Sequence, residues 1–195
     1  NLPGSGLLYD LGSHLIDQAL CLFGWPDSIY ADIASQRESA VVDDYFHLLL
    51  GYKKMKVVLH VSSVAKNPGP RFLVHGSKGS FTKYGLDPQE TMLRQHVEKK
   101  DSNSIYDHAG NHAYSDNSIE VLYEENGVTV ADKIQLPMGD YRQYYELLYQ
   151  AIVAKGPVPV SAKAGLDCIR LIEYAMQSHL QNKRLCIAEN DGVAR

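Results

Sequence analysis

GLLYDLGSHLIDQALCLFGWP, residues 6–26, is the stretch on which the reading of the fold turns. Leu8, Leu11, Leu15, Ile16, Ala19, Leu20, Leu22 and Phe23 recur at helical spacing and sweep a wide apolar face. Gly24 supplies a C-terminal stop and Pro26 cannot continue the helix, so a helix is predicted from about Gly6 to Phe23. Immediately afterwards the period falls to two. SIYADIASQRE (28–38), DDYFHLLLGY (43–52) and MKVVLHVSSVA (55–65) read as strands, the last two joined by a tight turn at Lys53 and Lys54.

The rest of the chain keeps this order. RFLVHGSKGSFTKYG (71–85) predicts two short strands around Gly76 to Gly79, a hairpin and not a phosphate loop, because the G-x-x-x-x-G-K-[ST] pattern and its helix are missing. LDPQETMLRQ (86–95) predicts a short helix with Asp87 as cap and Pro88 at its first position. From His96 to Ser118 the chain is polar and aperiodic, a length of loop that usually carries function or motion. VLYEENGVTVADKIQL (121–136) is a hairpin turned by Asn126 and Gly127. Residues 138–156 and 161–182 are amphipathic helices separated by Pro157–Val158–Pro159, and RLCIAE adds a last short strand.

Helix, five to seven strands, then two helices, without β-α-β alternation or internal repeat, predicts an α+β fold: one open, mainly antiparallel sheet with helices on one face. The strands carry apolar residues on both sides, as in Tyr45, His47 and Leu49 against Phe46, Leu48 and Leu50. The second face is therefore expected to meet a sister domain or another copy of the chain, making a homo-oligomer.

Composition narrows the function. At 195 residues and 45% hydrophobic content, the chain is long enough to bury the core of one domain, residues 1–195. A net charge of −4, with lysines and arginines scattered, gives no basic face for nucleic acid. Cys21, Cys168 and Cys186 are odd in number and lack C-x-x-C spacing, so reduced thiols in a cytoplasmic protein are expected, without a thiolate metal site. No signal peptide and no membrane-spanning run is visible. A chain starting at Asn1 and entering a helix almost at once reads as part of something longer.

The first helix also carries chemistry. Asp10, His14 and Asp17 follow at spacings of four and three, so at about 100° per residue all three fall on one narrow polar arc, with Ser13 and Gln18 beside them. A carboxylate one turn from an imidazole can accept from one ring nitrogen, leaving the other as a general base. The competing readings are an ordinary polar helix face, a metal site using Asp10, His14 and Asp17 with a fourth ligand, and a ligand-binding or scaffold protein without catalysis. The DHAGNH segment, with His108 and His112, reads as solvated loop, and His47, His60 and His75 read as partly buried strand residues.

GSGLLYDLGSHLIDQALCLFGWP resembles the D-x-G-x-H-x-x-D helix of the second domain in the glucose–fructose oxidoreductase / inositol dehydrogenase (Gfo/Idh/MocA) family. The resemblance runs through ADIASQRE, DDYFHLLLGY, RFLVHGSKGSFTKYGLDPQE and YYELLYQAI to LDCIRLIEYAMQSHLQNKR, nearly the whole chain. LLYDLGSHLIDQAL and KYGLDPQE are similar to the scyllo-inositol dehydrogenase branch. The resemblance implies the substrate-binding and oligomerisation domain of a dehydrogenase that oxidises a secondary hydroxyl of a polyol or sugar. It implies that Asp10 and His14 position the substrate and carry its hydroxyl proton while hydride leaves for NAD or NADP, and that Asp17, Lys83, Tyr84 and Asp87 lie where substrate contacts arise. The family's G-x-G-x-x-G turn, ribose-binding acid and E-K-P lysine are missing, so the dinucleotide is expected to be held by a domain outside this chain.

Overall fold

The computed structural model describes residues 4–67, 69–98 and 117–187. A π-helical turn, Leu8–Gly12, leads into α1 (Ser13–Phe23). Then follow β1 (Ser28–Ala34), β2 (Tyr45–Gly51), β3 (Lys56–Ser62), β4 (Phe72–Gly76), β5 (Gly79–Lys83) and α2 (Gln89–Glu98). The chain closes with β6 (Ser118–Glu125), β7 (Val128–Gln135), α3 (Arg142–Val153), α4 (Ala162–Gln181) and the short β8 (Leu185–Cys186). It divides into two compact units: Asn1–Lys66 with Val158–Arg195, and Asn67–Pro157.

In the first unit the strands pair antiparallel in the order β3-β2-β1-β8. The register sets Ile29 opposite Leu50, Ala31 opposite Leu48, and Leu48 opposite Leu59, so one face of the sheet is a continuous apolar surface. Ile16, Ala19 and Leu20 of α1 and Leu171, Ile172 and Ala175 of α4 close over it. Full burial of each large aliphatic side chain contributes about 1.5–3 kcal/mol, which makes this layer the main source of stability. Beyond Ile29, β8 no longer reaches β1. There α4 takes over: the Ala31 N–H donates to Ser178 Oγ (3.0 Å) and the Ile33 N–H to His179 Nδ1 (3.2 Å). The exposed edge of a strand is thus closed by side chains of a helix. The other face carries Tyr45, His47, Leu49, Val58 and His60, with Leu49 and Val58 cross-strand partners and both exposed.

In the second unit β4-β5-β6-β7 form an antiparallel meander. Asn126 (φ 53°) and Gly127 (φ 77°) make the β6–β7 turn with the two positive φ angles that a tight hairpin requires. Asp87 caps α2 by accepting the Gln89 N–H (2.9 Å), and its other oxygen accepts the Gly139 N–H (2.7 Å).

The α+β class and the open antiparallel pairing match the expectation from sequence, with refinements. The strands form two four-stranded sheets, and eight strands are described where five to seven were counted. Between β3 and β4 the sequence carries Pro68 and Pro70, which lack the N–H a ladder needs. Leu11, Leu22 and Phe23 are 43, 63 and 41% exposed, so the apolar face of the first helix is narrower than its periodicity promised. His108 and His112, with most of the polar stretch 96–118, lie outside the described residues. No helix among the described residues is long and apolar enough to cross a membrane.

Candidate active site

The polar arc begins where the chain enters the first unit. Gly6 holds φ +109°, a region that side-chain-bearing residues rarely adopt, and a Cβ there would lie 1.9 Å from Asp43 Oδ1. The absent side chain lets Asp43 reach the start of the helix. Its backbone carbonyl accepts the Leu7 N–H (2.9 Å) and its Oδ2 accepts the Leu8 N–H (2.7 Å).

From Leu8 to Gly12 the chain winds as a π turn, and Asp10 sits inside it. Four residues slightly overshoot one α turn but fall short of a wider π turn, so Asp10 and His14 are related differently from the i, i+4 pair of a regular helix. Asp10, His14 and Asp17 nonetheless share an exposed face. Among the described residues neither the Asp10 carboxylate nor the His14 imidazole makes a hydrogen bond or ion pair, so the bond expected between them is not formed here. Two other contacts fasten the stretch. The Ser13 hydroxyl donates to the Asp10 carbonyl (2.6 Å), and the Cys168 thiol of α4 donates to the Ser13 carbonyl (3.2 Å).

Asp17 faces sulfur. Cys21 donates a long contact to Asp17 Oδ1 (3.9 Å). Burial, with the Asp17 carboxylate adding to it, pushes the Cys168 thiol up to about 11. Cys168 is therefore a protonated donor at neutral pH and not a nucleophile.

Lys83, Tyr84 and Asp87 belong to the second unit. The Lys83 side chain is buried and its Nζ donates to the Tyr84 carbonyl (3.1 Å), while Tyr84 itself is exposed. Both oxygens of Asp87 are engaged by backbone N–H groups, which gives this residue a structural role at the start of α2.

Three features escaped the sequence reading. Asp43 and Asp44 form an acidic doublet in front of β2, and Asp44 is buried. The Gln36 N–H (2.6 Å) and the Arg37 side chain (2.8 Å) hold its carboxyl below the usual carboxylate value. Asp167 of α4 is also buried; its Oδ2 accepts from Lys163 (2.6 Å) and its Oδ1 has no hydrogen-bond partner among the described residues. A cleft of about 360 Å³ in the first unit is lined by Tyr9, Ile33, Asp43, Met176, His179 and Leu180 among others, and by none of the six residues singled out from sequence.

No group of three or more histidine, cysteine, aspartate or glutamate side chains among the described residues is arranged to hold a metal ion. The residues present do not fit a dinucleotide either. Every described strand pair is antiparallel, and no described glycine-rich turn leads from a parallel strand into a helix N-terminus, the cradle a pyrophosphate requires. What the chain offers is an acid and an imidazole on an exposed helix face. They can handle a proton once another surface closes over them and excludes water.

The family described as "Oxidoreductase family, C-terminal alpha/beta domain" matches residues 1–187. The uncharacterized oxidoreductase YdgJ of Escherichia coli (strain K12) is 38% identical over 187 residues, 95% of this chain and 51% of that protein. The scyllo-inositol 2-dehydrogenase (NADP(+)) IolW of Bacillus subtilis (strain 168) is 36% identical over 189 residues, 94% of this chain and 49% of that protein. A crystal structure of an oxidoreductase from Bacillus cereus superimposes with a TM-score of 0.77 at 28% identity, covering 96% of this chain and 62% of the other. The chain thus spans about half the length of the curated relatives it matches.

Proposed function

The chain belongs to the Gfo/Idh/MocA oxidoreductase family, whose C-terminal domain it matches from residue 1 to 187, and on that premise we propose that it supplies the substrate-binding and proton-handling half of a dehydrogenase. The observation that carries the reading is the exposed stripe of Asp10, His14 and Asp17 on a helix whose opposite face, through Leu8, Ile16, Ala19 and Leu20, is part of the core. Titratable groups on an exposed helix face have no chemistry of their own in open water. Opposed by a second surface, they become one wall of a site.

The proposed substrate is a polyol or sugar with a secondary hydroxyl, inositol-like in view of the relative IolW. His14 takes the hydroxyl proton and Asp10, on the same face, helps position the substrate. Asp17 lies next on the same face and is proposed as a further substrate contact. Lys83, Tyr84 and Asp87 belong to the second unit, where the Lys83 ammonium and both Asp87 oxygens are engaged by the backbone. NAD or NADP accepts the hydride and is held by portions of the full protein outside this chain. The open face of the first sheet, through Leu49 and Val58, is proposed to pair with a second copy.

The test uses the complete product of the reading frame. Nicotinamide absorbance is followed with NAD and with NADP against a panel of inositols and aldoses, for the wild type and His14→Ala. Oxidation of a polyol, with the variant slower by about 10²-fold or more, is the expected result. An unimpaired variant would make the helix a binding element of a protein that keeps the fold without this chemistry.

A further inference from the structure

We propose that Asp43 is a positioning residue for the reaction: it fixes the start of the helix on which Asp10 and His14 ride. The inference rests on the proton-handling reading of those two residues, and goes beyond it by naming what holds them in place.

A helix start leaves its first N–H groups without partners, and a neighbouring Ser, Thr, Asp or Asn commonly supplies one. Here the residue in that place is Leu7, whose side chain has no group to accept a hydrogen bond. The cap comes instead from thirty-five residues away, where Asp43 Oδ2 accepts the Leu8 N–H at 2.7 Å. The Asp43 carbonyl takes the preceding N–H, that of Leu7, at 2.9 Å. An anionic carboxylate at a helix N-terminus is also favoured by the aligned peptide dipoles.

Asp43 is itself anchored. Its neighbour Asp44 is buried and accepts from the Gln36 N–H (2.6 Å), the Arg37 N–H (3.2 Å) and Arg37 Nε (2.8 Å). The Asp44 backbone bonds to Ala34 O (3.0 Å) and accepts the Ser63 N–H (2.9 Å), which ties the doublet to the ends of β1 and β3. The helix start is thereby referenced to the sheet. Gly6 completes the device, since any side chain there would displace the carboxylate. Asp10 follows two residues after Leu8, inside the π turn, so a slip at Leu8 moves Asp10 relative to His14.

Asp43→Ala in the complete protein is expected to lower kcat by roughly 10- to 100-fold, the size associated with a misplacement of about 1 Å, with the loss in kcat and not in KM. Hydrogen exchange in the peptide covering residues 5–12 should accelerate in parallel. Asp43→Asn keeps an acceptor oxygen and should restore most of both. Should Asp43→Ala not fold, Gly6→Ala pushes the carboxylate away without touching Asp43, and the same loss of kcat is expected. Faster exchange with wild-type kcat in either variant would overturn the proposal, as would unprotected Leu7 and Leu8 amides in the wild type. Failure of the underlying reading is separate: His14→Ala would then keep full activity whatever the amides of Leu7 and Leu8 do.

Discussion

Cys168 shows how a single residue is defined by what surrounds it. In sequence it is one of three unpaired-looking thiols, equal to Cys21 and Cys186. In the fold it is buried, donates to the Ser13 carbonyl, and has its pKa raised from 9.0 to about 11, by burial first and the Asp17 carboxylate second. A folded pKa above the unfolded one means stability that is fully present below pH 9.0 and is lost as the pH rises toward 11. At neutral pH, iodoacetamide should label the exposed Cys21 and Cys186 and reach Cys168 only after unfolding, as read by mass spectrometry of the peptides. Equal labelling of all three thiols in the native protein would contradict the burial of Cys168.

Among the elements, the contact between β1 and α4 carries the clearest cost. Ser178 is fully buried, accepts the Ala31 N–H and donates to the Lys183 carbonyl at 2.7 Å. Ser178→Ala leaves the Ala31 N–H buried without a partner, at a cost of about 1–3 kcal/mol. Urea denaturation should show a lower midpoint with an unchanged slope. An unmoved midpoint would mean that the edge of β1 is closed by something other than this hydroxyl. The π turn belongs to the same scale. Turns of this kind recur at functional sites, and this one holds Asp10.

At the scale of the whole molecule, the first sheet presents Tyr45, His47, Leu49, Val58 and His60 on the face opposite α1 and α4. Leu49 is 36% and Val58 53% exposed, directly across from one another. An apolar sheet face left in water is a surface that association removes. Analytical ultracentrifugation of this chain should therefore show self-association, and Val58→Glu should shift the population to monomer. A wild type that stays monomeric at high concentration would rule out pairing through this face.

Alternation of period two placed β1, β2 and β3 within a few residues, Asn126 and Gly127 announced the β6–β7 turn, and the apolar spacing of residues 8–23 announced the first helix. These are local properties, decided by side-chain sterics and by which face each residue presents, and they are legible in the order of residues alone. The stripe of Asp10, His14 and Asp17 was visible for the same reason. The π turn, the Asp43 cap on Leu8, the hold of Asp87 on Gly139 and the division of strands between two sheets were not. The last three depend on groups tens of residues apart meeting at hydrogen-bond distance, and only the packed chain brings them together.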